Sequence, residues 1–282
     1  MWAPLFLWLS KFYTKGVERA SCLFYNSITI MENNLGGDFH THTIFSHGKG
    51  TIEQNVQTAI ACNLKSIAIT DHGFGQPFAG ITPKKFDVMK KEVAELRVKY
   101  PEIKILLGVE ANIIKKDGTI DLTDAQEKEM DIILAGYHLS ATERRLRSLF
   151  SLAVPAVFAK VGICSNGQRR RNTKTYLEAI KNRKIDVITH PGYLMPLNLT
   201  EIGKACADLG TYLEISSRHT IPDEKGLEEL INTDVKFIIN SDAHELYQIG
   251  NVDYAFNLVK KYHIEDRVVN LGHSEFPLRS KS

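Results

Sequence analysis

From residue 36 onward, short apolar runs alternate along the chain with amphipathic stretches. The short runs, at 37–40, 66–70, 103–109, 132–136, 186–189, 212–215 and 236–240, are candidate strands. The stretches between them predict helices over 51–61, 83–99, 173–181, 200–209, 224–231 and 253–262. Thr51 stands where the first helix needs a cap, and Thr82 precedes a proline at the first helical position of the second. Strand and helix in alternation predict a parallel sheet covered by helices.

Seven such strands can form an open sheet or a closed barrel, and the polar residues decide between them. An open sheet gathers its site at one crevice. Here almost every strand delivers a polar residue at its carboxyl end, and those ends converge only if the strands form a ring. Residues 139–172 are long for one connection. They hold an apolar stretch at 149–163, interrupted by Pro155, and are expected to be a helical excursion over the barrel mouth or flank. Nothing divides the rest, so one barrel domain is expected over 36–282, preceded by an N-terminal extension at 1–35. The apolar run at 2–9 has no basic region before it and is too short for a bilayer, so no membrane anchor is expected.

Composition narrows the class further. With 43% hydrophobic and 24% charged residues in 282, disorder is excluded. A balance of 35 basic to 33 acidic residues, net +2, lacks the basic footprint of a dedicated nucleic-acid binder. The one basic run, Arg169, Arg170 and Arg171 with Lys174, is expected to be a solvated loop and helix start. The four cysteines, Cys22, Cys62, Cys164 and Cys206, lie far apart, which predicts reduced thiols in a cytoplasmic protein.

The chemistry lies in the histidines. Of ten, His40, His42, His72, His138, His190 and His244 stand at or just beyond predicted strand ends, and Glu110 ends the third strand. Side chains two apart on a strand face the same way, so His40 and His42 can share one metal region, as can Asp242 and His244. Asp71 and His72 are adjacent and point apart, making His72 the better ligand and Asp71 a supporting partner or proton carrier. Imidazole mixed with carboxylate suits zinc first, or manganese or iron, rather than magnesium or calcium. The candidates exceed what one tetrahedral ion uses, so two or three ions are expected, with Glu110 as the natural bridge.

The ordered set His40-x-His42, His47, Thr70-Asp71-His72, Gly108-Val109-Glu110-Ala111-Asn112, Gly136-Tyr137-His138, Thr189-His190-Pro191-Gly192 and Ser241-Asp242-Ala243-His244 resembles the PHP (polymerase and histidinol phosphatase) family. Within it the chain is similar to the stand-alone bacterial phosphatases. The resemblance implies an α/β fold, a distorted seven-stranded TIM-like (β/α) barrel, with three divalent metal ions. Carried over by motif, His40, His42 and Asp242 with Glu110 would hold one ion. His47, His72 and His244 would hold the second, and His138 and His190 with Glu110 the third. The sixth strand departs from the pattern, with Ser216 and Ser217 where related proteins often carry asparagine.

The reaction expected is hydrolysis of small phosphate monoesters by metal-activated hydroxide, with no protein nucleophile. Asp71 or His219 would supply the leaving-group proton, and Arg218 would neutralise phosphate charge. Two rival readings fit the same residues. Amidohydrolases also use an HxH pair and a terminal aspartate, but commonly bridge metals with a strand-end lysine, whereas this chain offers Glu110. A non-catalytic metal-binding domain would fill its centre without turnover. Neither the particular substrate nor the oligomeric state is legible.

Overall fold

All seven apolar runs form strands, and they pair in parallel in chain order from β1 to β7. In this computed structural model the described residues are 34–77, 79–141, 154–160 and 164–272. The strands are β1 Gly37–Thr41, β2 Ser66–Ile69, β3 Lys104–Asn112, β4 Ile132–Gly136, β5 Val187–Ile188, β6 Tyr212–Ser216 and β7 Phe237–Asn240. The helices are α1 Ile52–Ala61, α2 Pro83–Lys99, α3 Asp124–Lys128, α4 Val154–Lys160, α5 Asn166–Asn182, α6 Leu199–Leu209, α7 Glu224–Ile231 and α8 Asp253–Lys261. Most of the expected extension at 1–35 lies outside the described residues, as does much of the excursion, but Leu35 is buried and bridges Leu271. Among the described residues no helix is long and apolar enough to cross a membrane.

The helices begin where their caps dictate. The Thr51 side chain accepts from the Gln54 amide while Gln54 reaches back to the Thr51 backbone, closing a capping box that starts α1. The same pair of bonds between Thr123 and Gln126 starts the short α3, which hydrophobic periodicity does not reveal. Helix α5 begins seven residues before the expected start at 173, because Ser165 caps it through the Gln168 amide. Arg169, Arg170 and Arg171 are therefore helical rather than in a loop, consistent with the good helix propensity of arginine.

The helices press apolar stripes against the outer barrel face. Phe86, Met89, Val93 and Leu96 of α2 and Ile52, Val56 and Ala59 of α1 join that layer. Inside the ring a smaller core is built from Phe39, Ala68, Leu106, Ile132, Leu134, Val187 and Ile238. This plug fills the lower barrel, and the polar strand ends lie beyond it. The β1–β2 register shifts between Asp38 and Thr41, three residues advancing on β1 against two on β2. The extra residue lets Phe39 pack inward while His40, its neighbour, also turns into the barrel.

The ring is closed between β1 and β7 by local devices rather than a full ladder. Near the carboxyl ends, the His42 amide donates to Ala243 O (2.8 Å) and the Ala243 amide to His40 O (3.2 Å). At the other end the buried Asn270 side chain spans the gap. Its Nδ2 donates to Gly37 O (3.0 Å) and Ile239 O (2.6 Å), and its Oδ1 accepts from the Ile239 amide (3.0 Å). Of the described cysteines, Cys62 and Cys206 are buried and Cys164 is partly exposed.

Candidate metal centre

A cavity of about 490 Å³ opens at the carboxyl ends of the strands, lined by His47, His72, Glu110, His138, Asp242 and His244 among others, with His40, His42 and His190 buried against Glu110 beside it. His40 comes from β1 and His42 from just beyond it; His72 follows β2, Glu110 lies on β3, His138 and His190 follow β4 and β5, and Asp242 and His244 follow β7. His47 arrives on the loop after β1. Gly48 lets that loop fold back, since a Cβ there would meet His42 O at 2.4 Å. Gly136 does the same for His190, whose ring occupies the space a side chain would need. His190 and Asp242 adopt left-handed backbone, with φ of 29° and 52°. Such backbone is strained for side-chain-bearing residues and tends to persist where it aims a functional group.

Glu110 sits at the centre. Its Oε2 lies 3.4 Å from His40 Nε2, 3.6 Å from His42 Nε2 and 2.9 Å from His72 Nδ1. Its Oε1 lies 2.8 Å from His190 Nε2 and 3.5 Å from His138 Nε2. Asp242 Oδ1 closes the first group, 3.6 Å from His40 Nε2 and 3.2 Å from His42 Nε2, with those two nitrogens 3.2 Å apart. His244 Nε2 meets His47 Nε2 at 2.6 Å, and the His47 ring stacks on His72 at 4.7 Å.

Among the described residues, atoms that could ligate a cation fall into three overlapping sets: His40, His42 and Glu110; His42, His72 and His244; His72, Glu110 and His138. The division carried over by motif is thus crossed at His72, which faces Glu110 and His138 as well as His244. Ligand atoms around one tetrahedral ion at roughly 2.0–2.2 Å stand roughly 3.3–3.6 Å apart. The separations among His40, His42, Glu110 and Asp242 run from 3.2 to 3.6 Å. Buried His42 Nδ1, His72 Nδ1, His190 Nδ1 and Asp242 Oδ1 make no hydrogen bond. Spacing, unpaired atoms and donor type all fit divalent transition ions.

Electrostatics agree with that fit. Burial would push the Glu110 and Asp242 carboxyls up, but the imidazoles around them, His138 and His40 foremost, hold both well below the usual range. Burial and neighbouring imidazoles drive His42 well below an ordinary histidine, His47 to about 4 and His138 to about 3. Neutral imidazoles present lone pairs to cations. His40 and His190 go the other way: burial lowers them, but Glu214 and Glu110 respectively, with other carboxylates, outweigh it.

Around this group lie supports that sequence reasoning missed. His138 Nδ1 donates to Asn112 Oδ1 (2.8 Å), and Asn112 in turn donates to Asp121 (2.6 Å). Thr189 Oγ1 donates to Glu110 Oε1 (3.0 Å). Glu214 accepts from His40 Nδ1, and a lone carboxylate within the apolar run of β6 was the signal that could have found it.

Asp71, expected as a supporting partner of His72 or a proton carrier, is fully buried. Its oxygens accept from the Thr43 amide (2.7 Å), Thr43 Oγ1 (2.6 Å) and Ser46 Oγ, so it orders the loop bearing His47 and does not line the cavity. Arg218 and His219 do line it. His219 Nε2 stands 3.2 Å from Asp242 Oδ2 and its ring 4.1 Å from that of Tyr193, while Arg218 Nε is 3.8 Å from Asp242 Oδ2. Ser216 and Ser217 serve the backbone, accepting from the His219 amide (3.3 Å) and the Ala255 amide (3.2 Å).

A ring of parallel strands with imidazoles and carboxylates converging at its carboxyl ends defines a metal-dependent hydrolase barrel. The chain belongs to the PHP domain family, whose profile matches residues 38–228. It is 32% identical to a protein of Thermoanaerobacter sp. strain X514 named a probable phosphatase, covering 83% of this chain and 89% of that one. A probable phosphatase of Caldanaerobacter subterraneus subsp. tengcongensis is 30% identical, covering 85% and 88%. Among solved structures, the histidinol phosphate phosphatase of Lactococcus lactis, complexed with zinc, L-histidinol and phosphate, superposes with a TM-score of 0.52. At 18% identity, over 80% of this chain and 93% of that one, that likeness shows the shared barrel.

Proposed function

We propose that this protein is a phosphatase that hydrolyses small phosphate monoesters at a centre of three divalent cations, zinc first among them. One observation carries the reading: Glu110 presents one oxygen to His40, His42 and His72 and the other to His138 and His190, as a carboxylate shared between cations would. The naming of similar proteins as probable phosphatases supports the reaction type.

His40, His42, Glu110 and Asp242 would hold one ion, His47, His72 and His244 another, and His138 and His190 with Glu110 the third. When bound, such ions supply positive charge to the phosphate oxygens and acidify water. Arg218, 36% exposed at the cavity wall, would take a further phosphate oxygen. The His219 imidazole would give a proton to the departing alkoxide. Tyr193, Leu139, Leu194 and Ala79 supply an uncharged part of the wall, against which the leaving group would rest.

The test is hydrolysis of p-nitrophenyl phosphate by chelator-stripped protein, before and after addition of zinc or manganese, with metals counted in the same samples. Activity restored with about three ions per chain supports the reading. Bound metal without turnover, across several phosphate esters, rejects it and leaves amide hydrolysis or a non-catalytic role.

A further inference from the structure

Glu214 is fully buried in the middle of β6. Its Oε1 accepts from His40 Nδ1 (2.8 Å) and Asn240 Nδ2 (3.0 Å), and its Oε2 accepts from the His190 amide (2.9 Å). Asn240 has its amide orientation set independently, because its Oδ1 accepts from the Phe39 amide at 3.0 Å. Three N–H groups, from β1, from β7 and from the end of β5, therefore converge on one side chain. Only an acceptor on both oxygens satisfies them, which a carboxylate is and a carboxamide is not.

Two consequences follow at the centre. With Glu214 accepting at Nδ1, His40 carries its proton there and turns the Nε2 lone pair toward Glu110 and Asp242. His190 is held through its main chain instead, at the position where its backbone is left-handed, and its Nε2 reaches the opposite oxygen of Glu110. One carboxylate thus sets the ring state of one imidazole and the backbone of another, on the two sides of Glu110.

We infer that Glu214 is a positioning residue that sets the cation affinity of the centre, by fixing His40 in its Nδ1–H tautomer and clamping the His190 backbone. The inference rests on the reading that these imidazoles bind cations.

The experiment compares zinc affinity of the wild type and Glu214→Gln by competition with a chromophoric chelator, alongside urea unfolding of both metal-free proteins. Zinc binding weakened roughly tenfold or more at one or more positions is expected, the range found when a ligand's supporting partner is lost. Wild-type zinc affinity in Glu214→Gln, with or without altered stability, overturns the inference and leaves the metal reading intact. A second readout needs no variant at Glu214: imidazole ¹⁵N spectra of the zinc-loaded wild type, with His40 identified by its loss in His40→Asn. The Nδ1–H form is expected, and an Nε2–H form overturns the proposal even if Glu214→Gln fails to fold. A wild-type chain that takes up no zinc removes the metal-centre reading and this inference together.

Discussion

Glu110 Oε2 stands 2.9 Å from His72 Nδ1, yet the two are not aligned for a hydrogen bond. Both side chains are buried, and both line the cavity. A shared cation gives both atoms a reason to face the same point. Glu110→Gln is therefore expected to lower bound metal in more than one position. Phosphatase activity should fall by roughly 10²-fold or more, since the ions contribute several kcal/mol to the transition state. Metal analysis of the purified variant checks this, and a full complement of ions would refute the bridge.

His219 touches Asp242 but belongs to none of the three ligand sets, so His219→Ala should keep its metals. Loss of a general acid costs about 10²–10⁴-fold. The loss should approach that range on an alkyl phosphate and be much smaller on p-nitrophenyl phosphate, whose leaving group departs without a proton. Equal losses on the two esters would assign His219 to phosphate binding, and loss of metal would make it a ligand.

Arg218→Ala should also retain metal while raising KM for phosphate esters, because among the described residues its guanidinium is the basic side chain that lines the cavity besides the histidines. Inorganic phosphate should inhibit the variant more weakly than the wild type. Unchanged inhibition would make Arg218 a bystander.

Asn270 satisfies Gly37 O together with the amide and carbonyl of Ile239, all at the barrel's seam. Asn270→Ala leaves buried backbone groups without partners, at about 1–3 kcal/mol each before relaxation. A loss of about 2–4 kcal/mol of stability is expected in urea unfolding of the metal-free protein. A change below about 0.5 kcal/mol, the scale of ordinary surface substitutions, would mean that water or a neighbour replaces the latch.

The buried His138 is pushed down to about 3, so in the metal-free protein its folded form stays neutral where an unfolded histidine, near 6.5, gains a proton. Unfolding then takes up that proton, and the stability present above pH 6.5 is progressively lost as pH falls toward 3. His138→Gln should have a shallower decline of unfolding free energy between pH 6.5 and 5 than the wild type. Parallel slopes would show that the depression is absent.

The barrel and most of its candidate site were legible from the sequence because they are written in local patterns. Apolar runs set the strands, and residues just past a strand's carboxyl end must share one face of a ring, so His40, His72, His138, His190 and His244 could be gathered before their contacts were known. Tertiary structure alone decided what joins residues far apart in the chain. Glu214 meets His40 and Asn270 meets Gly37 only because β1 lies beside β7 and faces β6 across the interior. Asp71 points from the motif into the loop that carries His47, and His72 reaches two groups of imidazoles rather than one. Such pairings depend on strand register, on a bulge in β1 and on left-handed backbone at His190 and Asp242. Hydrophobic periodicity carries the repeat of an element, but not the rotation and reach of each polar side chain within the closed ring.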